Sequence, residues 1–217
     1  MSASFISIDQ TNKCGFLDII IGPMYSGKTN HLLSELNIFA TMGAKSLYIN
    51  SDLDTRTDEE FSTHNPMITK LPNVKGIKVS NLYDIYDMCK DYVVIAIDEA
   101  QFFNNLKSFV LDLVEKEGKR VIIAGLSGNY KRQQFGEMMD LVSYCDRITK
   151  LSSFCKICSE NKKIKEAHFS YRLIDQTEDI CIGGKTEYIP LCRECFLAKK
   201  YLYKFLYIIF RMNCCYM

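Results

Sequence analysis

Residues 22–29 read GPMYSGKT, and no other stretch narrows the possible folds of this chain as far. The octet fits G-x-x-x-x-G-K-[ST], in which backbone N–H groups cradle phosphate oxygens. Gly22 and Gly27 allow the tight turn, and Pro23, Met24, Tyr25 and Ser26 form the loop between them. Lys28 brings an ammonium to the β- and γ-phosphates of a nucleoside triphosphate such as ATP, and Thr29 offers a hydroxyl to Mg²⁺. A loop of this kind joins a buried strand to a helix N-terminus, where the helix dipole favours the anion. Both flanks suit it. Leu17–Ile21 is an apolar run, while Leu32, Leu33, Leu36, Phe39 and Ala40 recur on one helical face before Gly43.

The alternation of strands and helices continues downstream. Lys45–Asn50 reads as a second strand, followed by a polar, turn-rich stretch over Ser51–Asn65. Ile77–Val79 is a short strand, and Leu82, Ile85, Tyr86 and Cys89 suit a brief helix. Val93–Ile97 is apolar without alternation, as in a central strand covered on both faces. Leu106, Phe109, Val110, Leu113 and Val114 mark another amphipathic helix that Gly118 closes, and Arg120–Ala124 is a further buried strand. The pattern predicts an α/β fold with a mostly parallel sheet. Asp98 and Glu99 follow the central strand directly, at the sheet edge where open α/β folds bind ligands. Adjacent strand-end residues point to opposite sides, so Asp98 is expected on the Mg²⁺ side and Glu99 as general base. The residues alone leave open whether Glu99 would deprotonate a substrate hydroxyl or a water.

The texture changes near Leu151. Cys155-x-x-Cys158 and Cys192-x-x-Cys195 form two knuckles that suit structural Zn²⁺ held by four thiolates. A four-thiolate site has no open position for catalysis, so its task is to anchor the loop between the knuckles. The chain is expected to divide into an N-terminal arm (1–16), a nucleotide-binding core (17–150), a zinc module (151–199) and an apolar tail (200–217). That tail is too short to span a bilayer and is expected to pack on the body or on another subunit. The start lacks a signal peptide, so the ten cysteines point to a reducing compartment and a cytoplasmic location. A net charge of +1 gives no overall field for nucleic acid or anionic membrane. A P-loop ATPase whose zinc ribbon grips nucleic acid is the alternative reading. It calls for a basic stripe, whereas residues 151–199 carry balanced charge.

Taken in order, GPMYSGKT, Asp54-Thr55-Arg56, IDEAQFF (97–103), GNYKRQQFG (128–136), the two C-x-x-C pairs and IGGKTEY (182–188) resemble the thymidine kinases of the type II family, the cellular and poxvirus-like class. The resemblance covers roughly residues 17–198. It implies a RecA-like P-loop core, a small zinc-ribbon-like domain carrying a lasso loop, and transfer of phosphate from ATP to the 5′-hydroxyl of thymidine in nucleotide salvage. Carried over by position, Asp54, Thr55 and Arg56 approach the phosphates together with Asp98 and Gln101, and Glu99 takes the 5′-hydroxyl proton. Phe102, Leu126, Tyr130, Phe135 and Tyr188 wall the thymine pocket. Ser170 and the lasso residues Asp179, Ile180, Cys181, Ile182 and Gly183 also contact the substrate, and Arg172 matches an arginine near the phosphates. The family further implies a homotetramer and feedback inhibition by thymidine triphosphate. This sequence departs from the familiar pattern at Ser127, Tyr130 and Gln134 and in a longer segment between Cys158 and Glu166.

Overall fold

A computed structural model describes residues 14–54, 73–173 and 187–199. The resemblance-derived positions Thr55, Arg56 and Asp179–Gly183, most of the arm and the whole apolar tail lie outside the described residues.

The first strand, β1 (Phe16–Gly22), is flanked on both sides by strands from late in the chain. After it come α1 (Lys28–Thr41), β2 (Ser46–Ser51) and β3 (Val74–Val79). A 3₁₀ turn at Leu82–Ile85 runs into α2 (Tyr86–Cys89), and β4 (Val94–Ile97), α3 (Leu106–Leu111) and β5 (Arg120–Leu126) follow. Another 3₁₀ turn, Met138–Tyr144, leads to β6 (Arg147–Lys150). These six strands form one sheet in the order β3-β2-β4-β5-β1-β6. The β1–β6, β2–β3, β2–β4 and β4–β5 pairings are all parallel. The strand order reverses between β2 and β4, and such a switch point opens a crevice at the C-terminal strand ends.

Side-chain alternation sorts the core into two layers. Leu17, Ile19, Ile21, Leu47, Ile49, Ile95, Ile97, Val121 and Ile123 share one cluster with Leu106, Phe109 and Val110 of α3. The intervening residues face the other way, and α1 runs along β5, β4 and β2. Its buried face is Leu32, Leu33, Leu36, Phe39 and Ala40, the set given by the helical period. Burying one such leucine is worth about 2 kcal/mol, which is what holds helix to sheet.

Two elements differ from the sequence reading. β6 reads Arg-Ile-Thr-Lys and is largely exposed, so it has no apolar run to announce it; backbone pairing to β1 from Asp18 to Ile21 defines it. The helix predicted through Val114 leaves α geometry after Leu111 and completes its run as a π turn, Asp112–Lys116. Asp18 sits on β1 at 1% exposure yet carries a carboxyl group. Arg120 of β5 and Arg147 of β6 both donate to it, and Arg147 also reaches Glu35 of α1. This network ties the short edge strand to the core.

The described residues divide into two compact units. Of these residues, one unit holds those up to Ile21 together with those within Gly27–Ser127 and Gln134–Lys150; the other holds Gly22–Ser26, Gly128–Gln133 and the described residues from Leu151 on. The second unit contains β7 (Ser153–Phe154), α4 (Lys156–Glu160), β8 (Glu166–Ala167), β9 (Phe169–Arg172) and β10 (Tyr188–Leu191). β7 pairs with β8 and β9 with β10, both antiparallel, and residues 193–199 are helical. Cys155, Ala167, Leu191, Cys192 and Phe196 make its small core.

Candidate active site

The phosphate-loop motif takes the backbone shape its glycines allow. Gly27 lies in the left-handed region at φ 80° and caps α1 without a side-chain hydrogen bond. At Gly22 a β-carbon would come within 2.5 Å of Ser26 Oγ, which itself donates to Pro23 O at 2.8 Å. The Met24 N–H donates to Ser170 Oγ at 2.9 Å. Ser170, assigned by resemblance to the substrate, thus bonds the phosphate loop. Lys28 begins α1 and is buried, an unusual state for a lysine that fits a site built for an anion.

At the end of β4 the two carboxylates diverge. Asp98, 1% exposed, accepts from Tyr48 Oη at 3.0 Å, from the Glu99 N–H at 2.9 Å and from the Thr29 side chain. Burial raises its carboxyl above the ordinary 3.8 to about 6, and the neighbouring Glu99 adds to the rise. The hydrogen bonds from Thr29, the Glu99 backbone and Tyr48 pull the other way. A cation on this carboxylate would favour its charged form. Its oxygens and the Thr29 hydroxyl are the hard ligands that Mg²⁺ takes, so these residues fit that ion.

Glu99 is buried and adopts φ 47°, ψ 37°, a left-handed conformation uncommon for a residue with a side chain. Gln101 Nε2 donates to its Oε2 at 2.6 Å, and Gln101 Oε1 accepts from the Leu126 N–H at 3.0 Å. Phe102 meets Phe135 edge to face at 5.7 Å between ring centroids. Asp54 lies in the turn after β2, where Asn50 Nδ2 donates to its carboxylate at 3.1 Å and Lys78 Nζ to its carbonyl at 3.1 Å. Thus Lys28, Thr29, Asp54, Asp98, Glu99, Gln101, Phe102, Leu126 and Phe135 all belong to the first unit.

Tyr130, Ser170 and Tyr188 belong to the second unit. There the Arg172 guanidinium stands 4.9 Å from the Tyr130 ring and 6.0 Å from that of Tyr188. Arg132, two residues after Tyr130, lies over Phe196 at 4.8 Å and Phe169 at 5.5 Å. The four Sγ atoms of Cys155, Cys158, Cys192 and Cys195 lie within 4.8 Å of one another. A tetrahedral zinc site requires S···S edges near ~3.8 Å, about 1.6 times the Zn–S bond. Cys158 to Cys192 is 4.0 Å and Cys158 to Cys195 is 3.6 Å, so the quartet fits. Burial raises the Cys155 thiol, but backbone N–H groups of Cys192 and Cys158 and the neighbouring thiols more than offset this. It comes down to about 7, which favours a thiolate ligand.

Sequence reasoning missed Tyr48, Asn50, Lys78 and Arg132 as supports of the site. Tyr48 and Asn50 looked like ordinary strand residues, and their partners lie on other elements or beyond the strand end. Only the burial of polar groups marks them, and that is not visible in a sequence.

Comparison with known proteins points to one family. A family model described as thymidine kinase matches residues 15–196. The chain is 36% identical over 186 residues to "Thymidine kinase 1" of Dictyostelium discoideum, covering 86% of this chain and 79% of that protein. It is 31% identical over 214 residues to "Thymidine kinase a" of Arabidopsis thaliana, covering 94% and 84%. The thymidine kinase of Vaccinia virus (strain Ankara) is 33% identical over 184 residues, covering 85% of this chain and 98% of the viral one. Phosphate loop, paired strand-end carboxylates, cysteine quartet and these matches together lead to one assignment: the chain belongs to the thymidine kinase family.

Proposed function

We propose that the chain transfers the γ-phosphoryl group of ATP to the 5′-hydroxyl of thymidine, with Glu99 as the general base. The observation that carries this reading is the divergence at the end of β4: Asp98 is bonded to Thr29 of the phosphate-loop helix, whereas Glu99 is held by Gln101. Neighbouring carboxylates therefore have separate tasks. Lys28 and the N–H groups at the start of α1 receive the phosphates. Thr29 and Asp98 would hold Mg²⁺, which neutralises phosphate charge when bound. Glu99 takes the 5′-hydroxyl proton as the oxygen attacks phosphorus and the β-phosphate departs with its bridging oxygen.

Phe102 and Phe135 supply an apolar face for a flat base, and the family resemblance assigns Leu126, Tyr130, Tyr188 and Ser170 to thymidine as well. The resemblance also assigns Asp179–Gly183, which lie outside the described residues, to substrate contact. In this reading residues 17–150 form the nucleotide-binding core and residues 151–199 the zinc module with its lasso. The cysteine quartet holds structural zinc, which anchors the lasso ends and leaves no coordination site for substrate. The family resemblance also supports a homotetramer, inhibition by thymidine triphosphate and residence in the cytoplasm. Among the described residues, no helix is long and apolar enough to cross a membrane.

A nucleoside panel with labelled ATP tests the proposal on wild type and Glu99→Gln. Thymidine is expected to be phosphorylated, and Glu99→Gln to lose roughly 10²- to 10⁴-fold in kcat. If a folded, zinc-loaded sample phosphorylates no nucleoside, the activity is wrong. If Glu99→Gln keeps full kcat, the base assignment is wrong.

A further inference from the structure

The resemblance groups Gln101 with the nucleotide, yet its side chain is 3% exposed and engaged at both ends inside the protein. The Leu126 N–H can only donate, so the amide oxygen must face it, at 3.0 Å. That fixes the amide orientation and turns Nε2 toward Glu99 Oε2 at 2.6 Å. The room for this residue is set on two sides. A β-carbon at Gly125 would come within 2.6 Å of Gln101 Oε1, and one at Gly136 would collide with the Gln101 backbone carbonyl. Glu99 itself lies in a left-handed conformation that its neighbours must hold in place.

We infer that Gln101 is a positioning residue: it orients the Glu99 carboxylate from the Leu126 backbone and takes no part in binding ATP. The inference rests on Glu99 being the base, as proposed above. A carboxylate turns freely about its last bond unless something grips one oxygen. Gln101 grips Oε2 and thereby fixes where the other oxygen, the one that meets the acceptor hydroxyl, points. Leu126 is assigned to the wall of the acceptor pocket, so the same peptide unit that borders the base-binding wall sets the aim of the general base. A shift of that wall by a poorly fitting nucleoside moves the Leu126 N–H, and through Gln101 it misdirects Glu99. Gln101 thereby links nucleoside fit to turnover.

Two substitutions separate the halves of this relay. Gln101→Glu keeps an acceptor for the Leu126 N–H but sets a second carboxyl against Glu99 in place of the amide donor, so that the pair shares a proton, and Gln101→Met of similar length loses both bonds. Each should lower kcat with thymidine roughly 10- to 100-fold, the scale of a misaligned reacting group. The KM for ATP and the affinity of a fluorescent ATP analogue should stay within about threefold for each variant. Thermal unfolding midpoints distinguish lost alignment from lost fold. A measurement on intact protein stands beside them: the Gln101 side-chain amide proton should resonate downfield in the ¹⁵N–¹H spectrum and move upfield in Glu99→Gln. The inference is overturned if both Gln101 variants keep kcat within twofold, if they raise only the KM for ATP, or if the Gln101 resonance ignores Glu99→Gln. Full kcat in Glu99→Gln would instead remove the base assignment on which the inference stands.

Discussion

Replacing Asp98 by Asn should abolish turnover and, without added divalent ion, make the protein more stable near pH 7.5. Burial first and the Glu99 charge second raise the Asp98 carboxyl from 3.8 to about 6. Between these values the folded chain holds a proton that the unfolded chain has released, so stability falls as pH rises through that window. Above pH 6 the ionised carboxylate costs the fold about 3 kcal/mol, taking about 1.36 kcal/mol for each tenfold change in proton affinity. Asn is neutral at every pH and removes this cost. Its Oδ1 can keep the Glu99 N–H, while its Nδ2 must donate to the Tyr48 oxygen in place of accepting from it. Repolarising that bond returns about 1 kcal/mol. The net gain is about 2 kcal/mol at pH 7.5, shrinking to nothing or reversing near pH 4, where wild-type Asp98 is protonated. Urea unfolding from pH 4 to 8, with zinc retained and magnesium omitted, measures it. An Asp98→Asn protein no more stable than wild type at pH 7.5, or a gain independent of pH, would refute the reasoning.

Other substitutions probe the rest of the molecule. Metal analysis should find about one zinc per chain, and Cys155→Ser should lose it together with the cooperative unfolding of the small unit. Asp18→Asn leaves Arg120 and Arg147 without their shared carboxylate and should cost about 3 kcal/mol in urea denaturation, a loss that high salt does not reproduce. Arg132→Ala removes the guanidinium from Phe169 and Phe196 and frees the loop carrying Tyr130. At about 1 kcal/mol for the stacking, thymidine KM should rise about fivefold while ATP KM holds; the reverse pattern would assign Arg132 to the donor side.

What could be read from the sequence is what local rules enforce. A phosphate loop needs its glycines at fixed positions, so GPMYSGKT announced both its own shape and the strand and helix beside it. Ile95–Ile97 and Val121–Ile123 are buried on both faces and read as continuous apolar runs. The cysteine pairs converged because their spacing already implied a shared ion. Long-range partners could not be read. Tyr48 looks like one more apolar strand residue until Asp98 arrives from the next strand to accept its hydroxyl. Gln101 takes its orientation from an N–H 25 positions away. β6 is an exposed edge strand whose only signature is pairing with β1, far earlier in the chain, as at Asp18 with Arg147. Arg132 sits in a polar loop, where a basic residue ordinarily means solvent.

The sheet order also governs how the molecule is made. β1 emerges first from the ribosome but has its neighbours in β5 and β6, the last strands of the sheet to be synthesised. β2, β3 and β4 can associate as they appear, since they adjoin one another. β1 must wait, unpaired and strongly apolar, until residues beyond Leu126 are available, a delay of several seconds at about 5–20 residues per second. The nucleotide loop hangs from its C-terminal end and can form no earlier. A nascent chain cut short of β5 would hold every residue of the phosphate-binding signature and still have no shape with which to bind.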